Sequence, residues 1–353
     1  MALSGIEIFK MLPKTNCREC GVPTCMAFAM KLAAGQAELD ACPYVSPEAR
    51  ETLEEASQPP IRSVVIGTGD TALKVGGETV IFRHEKTFVN KPGIGLLITD
   101  TMDEAAVDAK LKKFKALVYD RVGLKLNADI IALKDTTGDA SRLIKLIEKV
   151  KGLGLTTLVL MSDKKEVLVE AVKAAKELKP LIYAATADNY KELGQLALDN
   201  GCPIAVRGKN IDEVAELTAK LTEMKIKDII IDTGARTLNQ SFTDHVAIRR
   251  AALTGKFRPL GFPTIVFPCE MTNDPIQETV FASTFVPKYG GIIILSEVEG
   301  HNLFPLTLQR LNIYTDPQRP MATTEGIYEI NNPDKNSPVV ITSNFSLTYL
   351  IVS

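Results

Sequence analysis

The sequence predicts an α/β fold in which a small cysteine-bearing N-terminal unit precedes a barrel of alternating strands and helices. Three observations predict it. Short apolar runs recur along the middle of the chain, each followed by a segment with apolar residues at helical spacing. Four of the six cysteines lie between positions 17 and 42, well ahead of those runs. Between the two regions stands SQPP, residues 57–60, whose consecutive prolines stop a helix and extend the chain.

Taken in order, residues 1–57 form a compact unit: an amphipathic start in GIEIFKMLP, the cysteine loop, a helix from Met26 to Leu39 and a second from Pro47 to Ala56. So small a unit has little core, and a bound metal centre would supply the missing stability. After the linker, SVVIGTG (63–69) and ETVIFRH (78–84) read as two strands with KVGG as the turn between them, a hairpin that caps one end of the barrel. The apolar runs are then IGLLIT, DIIAL, TTLVLM, LIYAA, PIAV, DIIID, PTIVF and GIIIL, spread from 94 to 295. Between them lie helical segments such as DEAAVDAKLKKFKALVYDRV, DASRLIKLIEKV and NIDEVAELTAKLTEM. Eight such units match a TIM (β/α)8 barrel, typically about 250 residues long. In the tail, EGIYEINN and SPVVITSNFSLTYLIVS contain two strand-like runs separated by the turn-rich NNPDKNSP. An apolar face there would need more chain or another subunit to cover it.

Length and charge narrow the function. A chain of 353 residues accommodates more than one domain. Its 41 basic against 43 acidic residues leave a net charge of -2, which argues against nucleic acid or an anionic membrane surface as partner. No apolar run reaches the length of a signal peptide or a membrane span, so a cytoplasmic location is expected, where disulfides are rare.

Chemistry in such a barrel sits on the loops after the strands. Those loops carry Thr99, Asp100, Asp103, Lys134, Asp135, Asp139, Ser162, Asp163, Thr186, Asp188, Asn189 and Arg207, then Asp232, Thr233, Arg236, Cys269, Glu270, Asn273, Asp274, Ser296, Glu297, Glu299 and His301. Helix N-caps demand the same Asp, Asn, Ser and Thr residues, so position alone names no catalytic side chain. His84, His245 and His301 are far apart in sequence and read as solvated or core residues. No HExxH, GxSxG, P-loop or helix-opening GxGxxG occurs, nor the D-x-H-x-x-G string of a histidine-ligated corrinoid site.

The cysteines carry the strongest signal. Cys17-x2-Cys20-x4-Cys25 places three thiols on one tight loop, with Gly21 and Pro23 supplying turns, and Cys42 closes the site from beyond a helix. Four sulfurs suit a [4Fe-4S] cluster, although the spacing differs from the bacterial ferredoxin pattern. Structural zinc is the competing occupant; zinc ribbons pair two short knuckles, whereas Cys42 stands alone.

The stretch NCRECGVPTCMAFAMKLAAGQAELDACPYV closely resembles the cluster domain of the large (gamma) subunit of corrinoid iron-sulfur proteins, part of the acetyl-CoA decarbonylase/synthase system of the reductive acetyl-CoA pathway. The resemblance continues through PPIRSVVIGTG, the barrel, PQRPMATTEG and SNFSLTYLIVS, over essentially the whole chain. It implies that Cys17, Cys20, Cys25 and Cys42 hold a [4Fe-4S] cluster in a domain of residues 1–57. It further implies a TIM barrel with its hairpin over 58–320, and over 321–353 the beginning of a C-terminal α/β corrinoid-binding domain, incomplete in this sequence. The corrinoid, of cobalamin type, would then be bound mostly outside the visible chain.

The function implied is methyl carriage. Cobalt would receive a methyl group from a methyl-tetrahydropterin, through a methyltetrahydrofolate-type methyltransferase, and pass it to acetyl-CoA synthase, while the cluster returns oxidised cobalt(II) to cobalt(I). Implied partners are the small subunit, in a heterodimer, that methyltransferase, acetyl-CoA synthase and a reductive activator protein. A mobile N-terminal domain on the SQPP linker would suit this work. Two other readings remain open: the barrel as a pterin-dependent methyltransferase with an accessory cluster, and an interaction scaffold with structural zinc.

Overall fold

The computed structural model describes residues 4–33, 36–121, 123–316, 318–319 and 321–352. It divides into two units, Met1–Pro60 and Ile61–Ser353. No helix among the described residues is long and apolar enough to cross a membrane.

The first unit is built on three helices: α1 (Gly5–Met11), α2 (Cys25–Ala33) and α3 (Pro47–Ser57). Ser4 and Glu7 form a capping box at the start of α1, which leaves two of its first N–H groups satisfied. α1 lies so close to α2 that a Cβ on Gly5 would meet the Met30 sulfur, and a larger residue there would have to push that side chain aside. The core of this unit is Ile8, Leu12, Val22, Cys25, Phe28, Ala29, Cys42, Val45 and Leu53, and two of its members are the cysteines themselves. The expected helix from Met26 to Leu39 is shorter than its pattern. The Gln36 N–H donates to the Lys31 carbonyl at 2.8 Å, a bond of the kind that closes a helix, and Leu39–Ala41 is a separate 3-10 turn that delivers Cys42. Ala34 and Gly35, within the expected helix, lie outside the described residues.

The second unit opens with a hairpin, and here the sequence reading needs correction. β1 (Ser63–Ile66) pairs antiparallel with β2 (Leu73–Gly76), so the first three residues of KVGG belong to the second strand rather than to the turn. The turn is the GTGDTA segment between them. β2 ends where Gly76 takes φ +79°, with the Arg62 carbonyl standing where a Cβ would have to go. Residues 78–84 form no strand because their carbonyls are claimed from far along the chain. Arg249 Nε donates to Val80 O at 3.0 Å and the Tyr289 hydroxyl to Ile81 O at 3.1 Å.

The barrel itself matches the expected runs. Its parallel strands are β3 (Gly93–Thr99), β6 (Ile130–Lys134), β7 (Leu158–Met161), β8 (Leu181–Ala185), β9 (Ile204–Arg207), β10 (Ile229–Asp232), β11 (Ile265–Val266) and β12 (Ile292–Leu295). They hydrogen-bond in the order β10-β9-β8-β7-β6-β3-β12-β11. The ring closes where the Ile231 N–H donates to the Pro263 carbonyl at 2.8 Å, beside a parallel bridge from Ile231 to Thr264. Alternation divides each strand between two cores, which is why the runs read as continuously apolar. Ile130, Ala132, Val159, Met161, Ile230, Ile292 and Ile294 pack in one cluster with Val64, Ile66, Leu73 and Val75 of the hairpin. Ile131, Leu133, Leu158, Leu160 and Ile293 pack in the other, against the helices. The hairpin plugs the N-terminal end of the strands: Thr157, just ahead of β7, donates to the Thr71 carbonyl at 2.7 Å.

The surrounding helices are α4 (Glu104–Ala116), α5 (Ala140–Gly152), α6 (Lys165–Ala175), α7 (Tyr190–Asn200), α8 (Ile211–Glu223), α9 (Leu238–Leu253), α10 (Pro275–Phe285) and α11 (Gly300–Ile313). In α5 the buried residues Leu143, Ile147 and Val150 recur at helical spacing. The pattern overreaches at α4, which ends at Ala116 although the periodic segment runs to Val122. The remainder enters a small hairpin, β4 (Tyr119–Arg121) with β5 (Leu124–Leu126), in which Tyr119 meets Phe304 of α11 edge-on at 5.0 Å. Packing against α11 outweighs helical continuation there. The tail also differs from its reading: neither run forms a strand among the described residues. A lone antiparallel bridge joins Ala322 to Phe345, and the final apolar run is a helix, α12 (Ser346–Val352). Ile327, Val339 and Ile341 are almost fully exposed.

Arg310 of α11 anchors the N-terminal end of the barrel. Only 2% exposed, it pairs with Asp129 and donates to the carbonyls of Pro92 at 2.9 Å and Asn127 at 3.0 Å. Replacing it in Arg310→Met strands the Asp129 carboxylate, so a loss of ~3–5 kcal/mol is expected in urea unfolding. A shift below about 1 kcal/mol would show that water replaces the guanidinium at little cost.

Candidate metal centre

Cys17 and Cys20 lie on the loop between α1 and α2, Cys25 is the first residue of α2, and Cys42 comes directly after the 3-10 turn. The loop is wound unusually tightly. Lys14, Asn16 and Arg18 take φ of 60°, 50° and 68°, and Gly21 takes 74°. Left-handed backbone costs a residue with a Cβ about 1–2 kcal/mol, so the surroundings must hold this path in place. Part of that hold is visible. Asn16 Oδ1 accepts the Cys25 N–H at 2.8 Å, the Asn16 N–H donates to Cys25 Sγ at 3.4 Å, and Gly21 N–H donates to the Arg18 carbonyl at 2.9 Å. The Thr24 hydroxyl accepts the Ala27 N–H at 3.1 Å and caps α2.

All four cysteines are free thiols. Cys25 and Cys42 are buried, at 7% and 3% exposure, while Cys20 is half-buried and Cys17 exposed. The Tyr44 hydroxyl donates to Glu19 Oε1 at 2.7 Å, tying the loop of Cys17 and Cys20 to the segment after Cys42. That bond raises the Tyr44 pKa, as do the Glu19 charge and, in smaller measure, Cys17 and Cys42. Among the described residues no three His, Cys, Asp or Glu side chains converge on one metal-ligating point. The structure therefore gathers the four cysteines into one small unit without closing their sulfurs into a ligand set. Their chemistry still fits an iron-sulfur centre: four unpaired thiols, one at a helix N-terminus and already receiving an amide hydrogen bond.

The polar ring at the C-terminal ends of the barrel strands is structural in its main parts. Asp103, Asp139 and Asp274 cap α4, α5 and α10, and Asn189 accepts the Thr186 N–H at 2.7 Å. The charged residues pair with one another. Lys134 meets Glu270 at 2.6 Å, Arg236 meets Glu270 at 2.5 Å and Asp232 at 2.9 Å, and the Tyr183 hydroxyl donates to Asp232 at 2.5 Å. Burial works against the Arg236 charge, but the hydrogen bond and charge of Asp232, with Tyr183 and Glu270, keep it firmly protonated. Burial pushes the Cys269 thiol far up, with Glu270 and Glu278 adding to it, so Cys269 is no thiolate at neutral pH. Arg207 pairs with Asp163 at 2.9 Å. The histidines stay apart: His84 stacks on Phe82, His301 is exposed on α11, and His245 is buried in α9, its Nδ1 2.7 Å from the Ser241 carbonyl and its pKa lowered by burial. A cleft of about 800 Å³ opens instead at the N-terminal end of the strands, lined by Lys74, Asn127, Thr156 and Tyr314 among others.

Residues 12–44, which hold the cysteine loop, match a family described as an Fe-S cluster, and residues 63–353 match one described as CO dehydrogenase/acetyl-CoA synthase delta subunit. The chain is 42% identical over 352 residues to the corrinoid/iron-sulfur protein large subunit of Moorella thermoacetica, an alignment covering 100% of this chain and 78% of that protein. The chain belongs to the corrinoid/iron-sulfur large-subunit family. The acetyl-CoA decarbonylase/synthase complex subunit gamma 2 of Methanosarcina thermophila is 38% identical, and the gamma subunit of Archaeoglobus fulgidus 34%, each over 99% of this chain and 78% of its own length. In this large-subunit chain the sequence missed two features of the centre, the Asn16 clamp on Cys25 and the Glu19–Tyr44 tie. An asparagine directly before a cysteine in a turn-rich loop was the available signal for the first; the second had none.

Asp100 provides a test of the barrel loops. Burial opposes its ionisation, yet hydrogen bonds from the side chains and N–H groups of Thr136 and Thr137 win and hold its pKa below the usual carboxylate range. A depressed folded-state pKa stabilises the fold while the group is ionised, and that contribution is lost as pH falls through and below the ordinary range. Asp100→Asn should therefore be less stable than the parent at pH 7, with the gap closing between about pH 5 and pH 2 in denaturant titrations. A gap independent of pH would mean that the carboxylate charge is irrelevant.

Proposed function

We propose that this chain is the large subunit of a methyl-carrying corrinoid iron-sulfur protein, and that Cys17, Cys20, Cys25 and Cys42 hold its [4Fe-4S] cluster. The observation that carries the reading is the coincidence, within residues 12–44, of four free thiols with a helix N-terminus and an amide-to-sulfur hydrogen bond, in a chain related over its whole length to such subunits. When bound, the cluster would supply one electron at low potential, which suits the return of cobalt(II) to cobalt(I).

The chain's own residues do the positioning. The α2 N-terminus places its positive dipole end at Cys25. Leu12, Phe28, Val45 and Leu53 pack around Cys25 and Cys42 and keep water from that side. Cys17 and Cys20 face outward by comparison, which would leave one edge of the cluster open to electron exchange. The Glu19–Tyr44 bond holds the two arms of the loop together.

Residues 58–320 would then form the platform, and residues 321–353 would begin the domain that binds the corrinoid, the bulk of which would be held outside this stretch. The exposed Ile327, Val339 and Ile341 support a further covering surface there. Partners on this reading are a small subunit in a heterodimer, a methyltetrahydrofolate-type methyltransferase, acetyl-CoA synthase and a reductive activator. The alternative of a barrel that is itself a pterin-dependent methyltransferase is disfavoured by its mouth, where Lys134, Arg236, Asp232 and Glu270 neutralise one another.

Anaerobic purification should yield a brown chain with about four irons and four labile sulfides. Cys25→Ala and Cys42→Ala should lose most of that iron, and Cys202→Ala should retain it. A colourless chain holding a single zinc would refute the redox reading.

A further inference from the structure

We propose that Asn16 is a positioning residue for the cluster, setting both its hold on Cys25 and its reduction potential; the inference rests on ligation by the four cysteines. Asn16 and Cys25 are joined twice. The side-chain Oδ1 takes the Cys25 N–H at 2.8 Å, and the backbone N–H reaches Cys25 Sγ at 3.4 Å. The Cys25 N–H is one of the donors that a helix start leaves without an intrahelical partner, and Thr24 spends its hydroxyl on Ala27 instead. Oδ1 therefore satisfies a group that its neighbours leave unmet, and in doing so it fixes the direction of the Asn16 backbone. That backbone sits at φ 50°, a conformation that asparagine tolerates better than most residues with a Cβ.

The consequence is electronic. Each one-electron reduction adds one negative charge to a cluster, shared among its sulfurs. A hydrogen bond donated to a ligating sulfur stabilises the more negative form more strongly, and so raises the potential. Asn16 would make the cluster easier to reduce than the bare cysteine set.

The test uses the full chain, reconstituted anaerobically with ferrous iron and sulfide and reduced stepwise with dithionite while its spin-resonance signal is monitored. Asn16→Gly keeps the left-handed backbone accessible and removes Oδ1. It should shift the midpoint to more negative potential and lose iron to a chelator several-fold faster than the parent. Asn16→Asp keeps the acceptor and adds a charge, so it should match the parent against the chelator while its midpoint also falls. If Asn16→Gly fails to load, the Asn16→Asp pair of readouts decides alone. An iron-loaded parent whose variants share its midpoint overturns the Asn16 assignment only. A parent that binds no iron overturns both this and the cluster reading.

Discussion

Eight parallel strands leave no open sheet edge only when the first and last meet, and in this barrel they meet through the Ile231 N–H, which donates to the Pro263 carbonyl at 2.8 Å. Everything else in the second unit is arranged around that ring. Closure creates an interior that must be filled and an exterior that must be covered, because each strand presents side chains to both. The helices cover the outside with Leu143, Ile147, Leu217 and their neighbours. The interior is filled from the strands and, at the N-terminal end, from the hairpin, whose Val64, Ile66, Leu73 and Val75 are part of the same cluster. The hairpin expected to cap one end of the barrel is thus part of its core.

The same geometry explains why so many acids and bases of this ring are engaged with the fold and with one another. Each strand-to-helix turn needs a side chain to accept the first free N–H groups of a helix, and Asp103, Asp139 and Asp274 serve that need. The longer charged side chains project over a closed barrel and find one another. Arg236 is shared between Asp232 and Glu270, and its guanidinium lies over the Phe267 ring at 4.9 Å.

The first unit has the opposite problem. Its core is so small that Cys25 and Cys42 are counted among its members, and its loop is held in left-handed backbone at three residues that carry side chains. Such a unit gains more from a bound centre than a large domain does, since ligation adds cross-links where apolar area is short. The features that strain the loop are the ones that aim it: Asn16 and Arg18 flank Cys17, and Asn16 reaches across to Cys25. Left-handed residues on both sides of Cys17 thus set the path on which the cysteine loop runs.

Local patterns made much of this legible beforehand. The eight apolar runs became the eight strands because a strand buried on both faces needs an unbroken apolar run, whatever it pairs with. The caps at Asp103 and Asp139 depend only on the next three residues. The cysteine spacing is likewise local, and with it the candidate site. Pairing across long separations was not legible. ETVIFRH has the composition of a strand, but Arg249 and Tyr289 take its carbonyls from more than 160 residues away. LTYLIV is an apolar run that reads as a strand and folds as a helix, since no neighbouring strand is offered to it among the described residues. VYDRV continues the α4 pattern and turns aside to reach Phe304. The order of amino acids was enough to say which segments could be strands, helices and ligands. Which partners each would have was settled only in three dimensions, because a hydrogen bond or a packing contact depends on what arrives opposite it.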